Sequence, residues 1–242
     1  MINHTLSLAC SILGLAIAAN HSSAQEKSRD SNESKRLAWF VQTSIPDGVE
    51  NPVKMLTGGE IKMLSLYDSV ASQPVPVSDD GTLRIVKEVP NPKPDAKEKT
   101  IYITLAKAVV PKGVSRALVI MTPAPKPAKD DTVFLTSVQD LNRFKGGDFM
   151  YINLSNSRIG VEIGSNKKMV NPGGLEIVRV ADGNGEESIP YRYSYFQSDK
   201  QRWLPVSASV TIASMLQREV YIFSVNQETG RIRCKGVTFP VM

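Results

Sequence analysis

YRYSYFQSDKQRW, Tyr191 to Trp203, is the segment best equipped for recognition chemistry. In an extended strand Tyr191, Tyr193 and Tyr195 share one face at a spacing of about 6.6 Å, with Arg192 and Ser194 on the other. A row of rings that are apolar with a polar tip can stack on sugars or grip a peptide. Arg192 and Trp203 complete a candidate ligand-binding set with Tyr191, Tyr193 and Tyr195. The same pattern also suits the buried face of a sandwich, because aromatic residues favour strands. On that reading Trp203 and Trp39 are core anchors.

Catalytic and metal sites have little to draw on. The only histidines are His4 and His21, and the cysteines are Cys10 and Cys234. If the N-terminus is removed as described below, no imidazole is left for a Ser-His-Asp or Cys-His arrangement. No His/Cys set is left for zinc, and a single thiol forms no internal disulfide. Cys234, in RIRCKGVTF, reads as a small buried apolar residue. ADGNGEE places Asp182, Asn184 and Glu186 at alternate positions, but Glu187 replaces the glycine of an EF-hand loop and Tyr193 its last carboxylate, so a solvated turn is expected. Paired carboxylates could hydrolyse glycosides without histidine. The mid-strand acids Glu162 and Glu219, however, read as surface charges. No metal and no cofactor is expected.

FKGGDFMYINLSNSRIGVEIG poses the phosphate question. A Walker loop needs G-x-x-x-x-G-K-[ST] before a helix, whereas Gly146-Gly147 is followed by Asp148 and a strand pattern. The double glycine reads as a tight turn needing positive φ, and Asn171-Pro172-Gly173-Gly174 as another turn.

The elements that must position these residues are strands. From Leu37 onward, short period-two apolar runs alternate with turn clusters such as SDDG, NPGG and NQETG, and long helical periodicity is missing. This pattern predicts an all-β protein of two tandem immunoglobulin-like sandwiches, with one larger sandwich or barrel as the alternative. VTIASMLQREV reads as a short helix or as a strand plus turn. TPAPKPAKDD reads as a semi-rigid linker, giving sandwich 1 over 37–122, a Pro/Lys linker over 123–130 and sandwich 2 over 131–242. Three segment pairs suggest internal duplication: GGEIKMLSLYDS from Gly58 with GGDFMYINLSNS from Gly146, LRIVK from Leu83 with LEIVR from Leu175, and SRALVIM from Ser115 with QREVYIF from Gln217. The last aligns Arg116 with Arg218, which read as caps of equivalent strands or as partners of an acid there.

The N-terminus addresses the chain. Leu6 to Ala19 is apolar but too short to span a bilayer. Ser22-Ser23-Ala24 has the form of a signal-peptidase site, although the n-region lacks Lys and Arg. A signal peptide over 1–24 and a disordered polar leader over 25–36 are expected, with no transmembrane segment after cleavage and a secreted or periplasmic destination. The net charge of +5 is scattered rather than gathered into a stripe, which argues against nucleic acid.

With VPKGVSRALVIMTP in its first half, the layout resembles the periplasmic pilus-assembly chaperones. That resemblance implies two immunoglobulin-like domains and strand pairing with a partner. No residue here is matched to that family's subunit-anchoring Arg and Lys. Three functions remain in play: a non-catalytic binding or structural module for an envelope protein or polysaccharide, a strand-pairing chaperone, and a carboxylate-based hydrolase.

Overall fold

The computed structural model describes residues 36–93, 97–124, 131–183, 185–226 and 228–240. The expected signal peptide and the leader through Lys35 lie outside the described residues. Arg36, placed in the leader by sequence, is instead anchored: its guanidinium donates to the carbonyls of Val110 and Pro111, each at 2.8 Å.

Among the described residues the fold is all strand. In chain order these are β1 (Leu37–Gln42), β2 (Val53–Thr57), β3 (Glu60–Leu64), β4 (Val75–Pro76), β5 (Thr82–Pro90), β6 (Thr100–Val109), β7 (Arg116–Pro123) and β8 (Phe134–Asp140). There follow β9 (Asp148–Asn153), β10 (Ile159–Ile163), β11 (Asn166–Val170), β12 (Leu175–Arg179), β13 (Glu187–Gln197), β14 (Arg202–Ala213), β15 (Gln217–Val225) and β16 (Ile232–Pro240). VTIASMLQREV is the end of β14, a turn and the start of β15.

The strands form four four-stranded sheets, and none closes into a barrel. The first sandwich has an outer sheet β3-β2-β5-β6 and an inner sheet β4-β1-β7-β8. The second has an outer sheet β11-β10-β13-β14 and an inner sheet β12-β9-β15-β16. Adding eight to each strand number of the first sandwich gives the second, so the topology is duplicated.

The inner sheets explain the continuous apolar runs. In β1, Ala38 and Phe40 face the first outer sheet, while Trp39 and Val41 face the second inner sheet. In β9, Met150 and Ile152 meet the first inner sheet, while Phe149 and Tyr151 meet the second outer sheet. Strands covered on both faces lose the apolar/polar alternation, as in parallel sheets. The central pairs β1–β7 and β9–β15 are indeed parallel. Burying side chains such as Leu118, Ile120, Ile152 and Ile222 between the inner sheets contributes about 1.5–3 kcal/mol each.

The fold corrects two sequence expectations. First, β8 pairs with β7 from Ala117↔Asp140 to Pro123↔Phe134. The 123–130 stretch therefore connects neighbouring strands of one sheet, and the sandwiches part after Asp140; residues 125–130 lie outside the described residues. Second, two of the three repeat matches are misregistered. Gly58-Gly59 turns β2 into β3, whereas Gly146-Gly147 leads into β9, the counterpart of β1. LRIVK lies in β5 and LEIVR is β12, the counterpart of β4. The third match holds, since β7 and β15 correspond and Arg116 aligns with Arg218.

Strand register supplies the true correspondence, Val53–Leu64 with Ile159–Val170. There β2 and β10 share one burial pattern, and the hairpin glycines Gly58 and Gly164 have φ of 56° and 54°. The bulge between Ile85 and Val86 recurs between Tyr193 and Ser194.

Candidate functional site

The tyrosine row points inward. Tyr193 is only 1 % exposed. It meets Tyr151 at 5.7 Å and Phe223 at 5.4 Å, both edge-to-face, and Tyr191 stacks on it at 4.6 Å. Tyr191 and Tyr195 pack against the same core. Desolvation pushes the Tyr221 hydroxyl up to about 12 and that of Tyr193 far higher. These three residues, expected as possible ligand contacts, are thus the sandwich interior. The physical reason is parity: residues 191, 193 and 195 are in register with Ile163, Val161 and Ile159, the buried side of β10.

Arg192 and Trp203 take the opposite face, so of the two expected core anchors Trp39 is one and Trp203 is not. Both line an open groove of about 600 Å³ on the second outer sheet, with Gly160, Glu162, Lys167 and Ser194. Trp203 starts in β14 opposite Phe196 of β13, and its indole crosses β13 to reach β10. A Cβ at Gly160 would lie 2.9 Å from Ser194 Oγ and 3.3 Å from Cζ3 of Trp203. Gly160 has no left-handed φ to require glycine, so its missing side chain serves the indole: the Cζ3–Cη2 edge of the ring and Ser194 Oγ both occupy the space a side chain at 160 would need. Trp203 remains 42 % exposed. Phe196 supports its edge at 5.3 Å, and the Arg158 guanidinium sits 4.5 Å from the Phe196 centroid.

Charge on this face is cationic. Glu162 is the cross-strand neighbour of both Arg192 and Lys167, and its carboxylate lies 3.7 Å from Lys167 Nζ. Among the described residues Arg192 and Arg158 have no ion-pair partner. Among the described residues Glu162 is the one carboxylate lining the groove, which therefore does not set two acids face to face.

The first sandwich shows what this position can look like otherwise. By register Lys54 occupies the place of Gly160, Glu88 that of Phe196 and Tyr102 that of Trp203. Lys54 and Glu88 form an ion pair across the sheet, which raises the lysine pKa and lowers that of the carboxyl. Where the second sandwich has an indole edge over glycine, the first has a charged plug.

Other candidates resolve into structure. Gly147 has φ 78°, and a Cβ there would sit 2.3 Å from the Ala181 carbonyl oxygen, so the turn needs glycine twice over. Asp182 and Glu186 lie in the loop before β13, and Asn184 is outside the described residues. Asn153 of the Asn153-Leu154-Ser155 sequon is 0 % exposed, its Nδ2 donating to the carbonyls of Ser157 and Val170, so it is closed to glycosylation in the fold. Cys234 packs against the second core, and burial pushes its thiol up to about 12. Its neighbours reach the first sandwich: Lys235 Nζ donates to the Gln42 carbonyl at 2.6 Å, and Arg233 Nη2 to the Thr43 carbonyl at 3.1 Å.

Glu219 differs from its expected surface role. It is half-buried and accepts from Thr238 Oγ1 at 2.8 Å, and desolvation raises its pKa. Arg218 does secure the start of β15: it is 4 % exposed and donates to the Phe144 carbonyl at 2.7 Å.

The sequence named Trp203 and Arg192 but missed Gly160, Phe196 and Arg158. A glycine inside a strand is a signal of close approach, and GVEIG carries one. Compared with known proteins, the chain matches no family model and no curated sequence.

Proposed function

We propose that this chain is an exported, non-catalytic binding protein of two immunoglobulin-like sandwiches, acting in the periplasm or outside the cell. Its ligand surface is the outer face of β11-β10-β13-β14, and its target is an envelope polymer. The observation that carries this reading is the half-exposed indole of Trp203, whose edge reaches over Gly160 into the groove. Exposure alone does not set this ring apart, since Tyr102 is as exposed. What does is the strand glycine that leaves room for the indole within an open groove, beside arginines unpaired among the described residues, an arrangement that suits stacking on a ligand. Export rests on the N-terminal apolar run and the Ala24 cleavage signal. The non-catalytic part rests on the absence of histidine after residue 24 and the single carboxylate in the groove.

The test is co-sedimentation of the full chain with insoluble envelope polymer. Binding lost in Trp203→Ala, with an unchanged melting temperature, is the expected result. Equal binding by Trp203→Ala would remove the site from this face.

A second reading, strand pairing with a protein, is favoured by the β14 edge. Residues 206–213, VSASVTIA, carry no charge. The equivalent edge β6 receives hydrogen bonds from Val133 N–H, and from Thr136 Oγ1 at 2.6 Å. No such bonds join β14 to β16 among the described residues. An unpaired, uncharged edge is a template for an added strand. Val210→Lys would abolish binding on this reading and spare it on the first.

A further inference from the structure

We infer that the ligand of this groove is an acidic saccharide, a chain bearing carboxylates on its pyranose rings; this rests on the binding reading above. The indole reaches over Gly160 with its Cζ3–Cη2 edge and remains 42 % exposed. Its exposed π surface presents negative quadrupole density, which suits the C–H face of a pyranose.

The cations decide the charge of the ligand. Ser194 and the indole edge meet over Gly160, and Arg192 is two residues from Ser194 along the same strand face, about 6.6 Å away. That is the reach of a carboxylate projecting from a ring stacked on the indole. Glu162, the only acid lining the groove, lies against Lys167, which leaves the Arg192 fork open for a bidentate contact. On the other side of the platform Arg158 stands over Phe196. A stacked ring therefore has a guanidinium on either side.

A neutral saccharide would use the platform but not the cations. Single-stranded nucleic acid would need successive stacking rings along a basic track, and this face offers one open ring. The first sandwich serves as an internal contrast. It keeps an arginine, Arg84, at the position of Arg192, but there the Lys54–Glu88 pair fills the platform.

The experiment is calorimetric titration of the full chain with a short oligogalacturonate, beside the same oligomer with its carboxyls reduced to alcohols. The acidic oligomer should bind more tightly, with affinity falling as salt rises. Arg192→Gln should weaken it about tenfold, the scale of a charged hydrogen bond, while leaving the reduced oligomer unaffected. Trp203→Ala and Gly160→Lys, the latter carrying the first sandwich's residue, should abolish binding of both. Tyr102→Ala should change nothing.

Equal binding of the two oligomers through Trp203 would overturn the acidic assignment and leave the binding reading intact. Binding of neither, with Trp203-dependent co-sedimentation preserved, would overturn it in the same way. Loss of both signals would overturn both. Tighter binding of a polyglutamate peptide or a single-stranded oligonucleotide through the same residues would overturn the saccharide class.

Discussion

At one register position the two sandwiches differ in kind. The first outer sheet sets Lys54 against Glu88 beside Tyr102; the second sets Gly160 against Phe196 beneath Trp203. The same strands, the same bulge and the same hairpin glycine hold both sets. Exposure hardly differs either, at 46 % for Tyr102 and 42 % for Trp203. The difference lies in what the ring reaches over: a strand glycine leaves room for it, whereas a lysine reaching across the sheet fills that space.

The interiors diverge as well. Ala38, Phe40, Ile85, Val119 and Met121 fill the first core, and by register their counterparts in the second are Phe149, Tyr151, Tyr193, Tyr221 and Phe223. The second sandwich is the aromatic one on both faces of its outer sheet. The inner-face rings fill the core, and the outer-face ring of Trp203 stays 42 % exposed.

The largest expected effect separates those two faces. Tyr193→Ala should cost about 3–5 kcal/mol in urea unfolding, and Ile85→Ala about 2–5 kcal/mol, as large-to-small core changes do. Trp203→Ala should stay near the surface range, about 0.5 kcal/mol. A loss as large as that of Tyr193→Ala would make Trp203 a structural residue and end the contrast between the faces.

A smaller effect should come from the hydroxyls that the second core carries and the first lacks. The Tyr151 and Tyr193 hydroxyls are buried near one another, but no hydrogen bond of good geometry satisfies either. Leaving such a group unpaired costs about 1–3 kcal/mol. Tyr193→Phe should therefore stabilise the protein by about 1 kcal/mol, read from the urea midpoint at unchanged slope. Destabilisation would show that the hydroxyl is paired in solution.

Glu219 sharpens the comparison through pH. Its counterpart is Ala117, fully buried in the first sandwich. Desolvation lifts the Glu219 pKa above its ordinary 4.5, so the folded state holds this proton more tightly than the unfolded state does. Its contribution is fully present below that ordinary value and is lost as pH rises through the folded one. Glu219→Gln keeps an acceptor for Thr238 and removes the charge. The variant should match wild type at acidic pH and melt higher at neutral pH. Melting curves that stay parallel across that range would place the carboxylate in water.

The sequence carried the all-β class further than the partners of the strands. Period-two runs and turn glycines identify strands because both signals are local. Pairing is not local: β8 joins β7 across the 123–130 stretch, whose prolines look like a linker because nothing in them records which strand follows. The repeat was misregistered for a similar cause. Gly-Gly-acid marks a turn wherever one occurs, and Gly58 and Gly147 serve turns at different places in the topology. The site was half legible. Tyr191, Tyr193 and Tyr195 stood out by their spacing, which burial in a core also favours. Trp203 reads as an anchor until Gly160, more than forty residues away, is seen to lie beneath it.

The smallest effect is expected at the charged plug itself. Lys54 and Glu88 keep their solvent contact, and exposed pairs contribute little because water and salt screen them and both side chains lose freedom. Lys54→Met should shift the melting temperature only slightly, and the shift should shrink as salt is added. Its pH dependence has a definite sign. The hydrogen bond from Lys54 holds the Glu88 carboxyl below its ordinary 4.5, so any advantage of wild type is present above that value and fades as pH falls through the folded one. A large, salt-insensitive loss would mean that the lysine is part of the fold. The first sandwich could not then have been opened by this exchange, and Gly160 would be an independent invention rather than the removal of a plug.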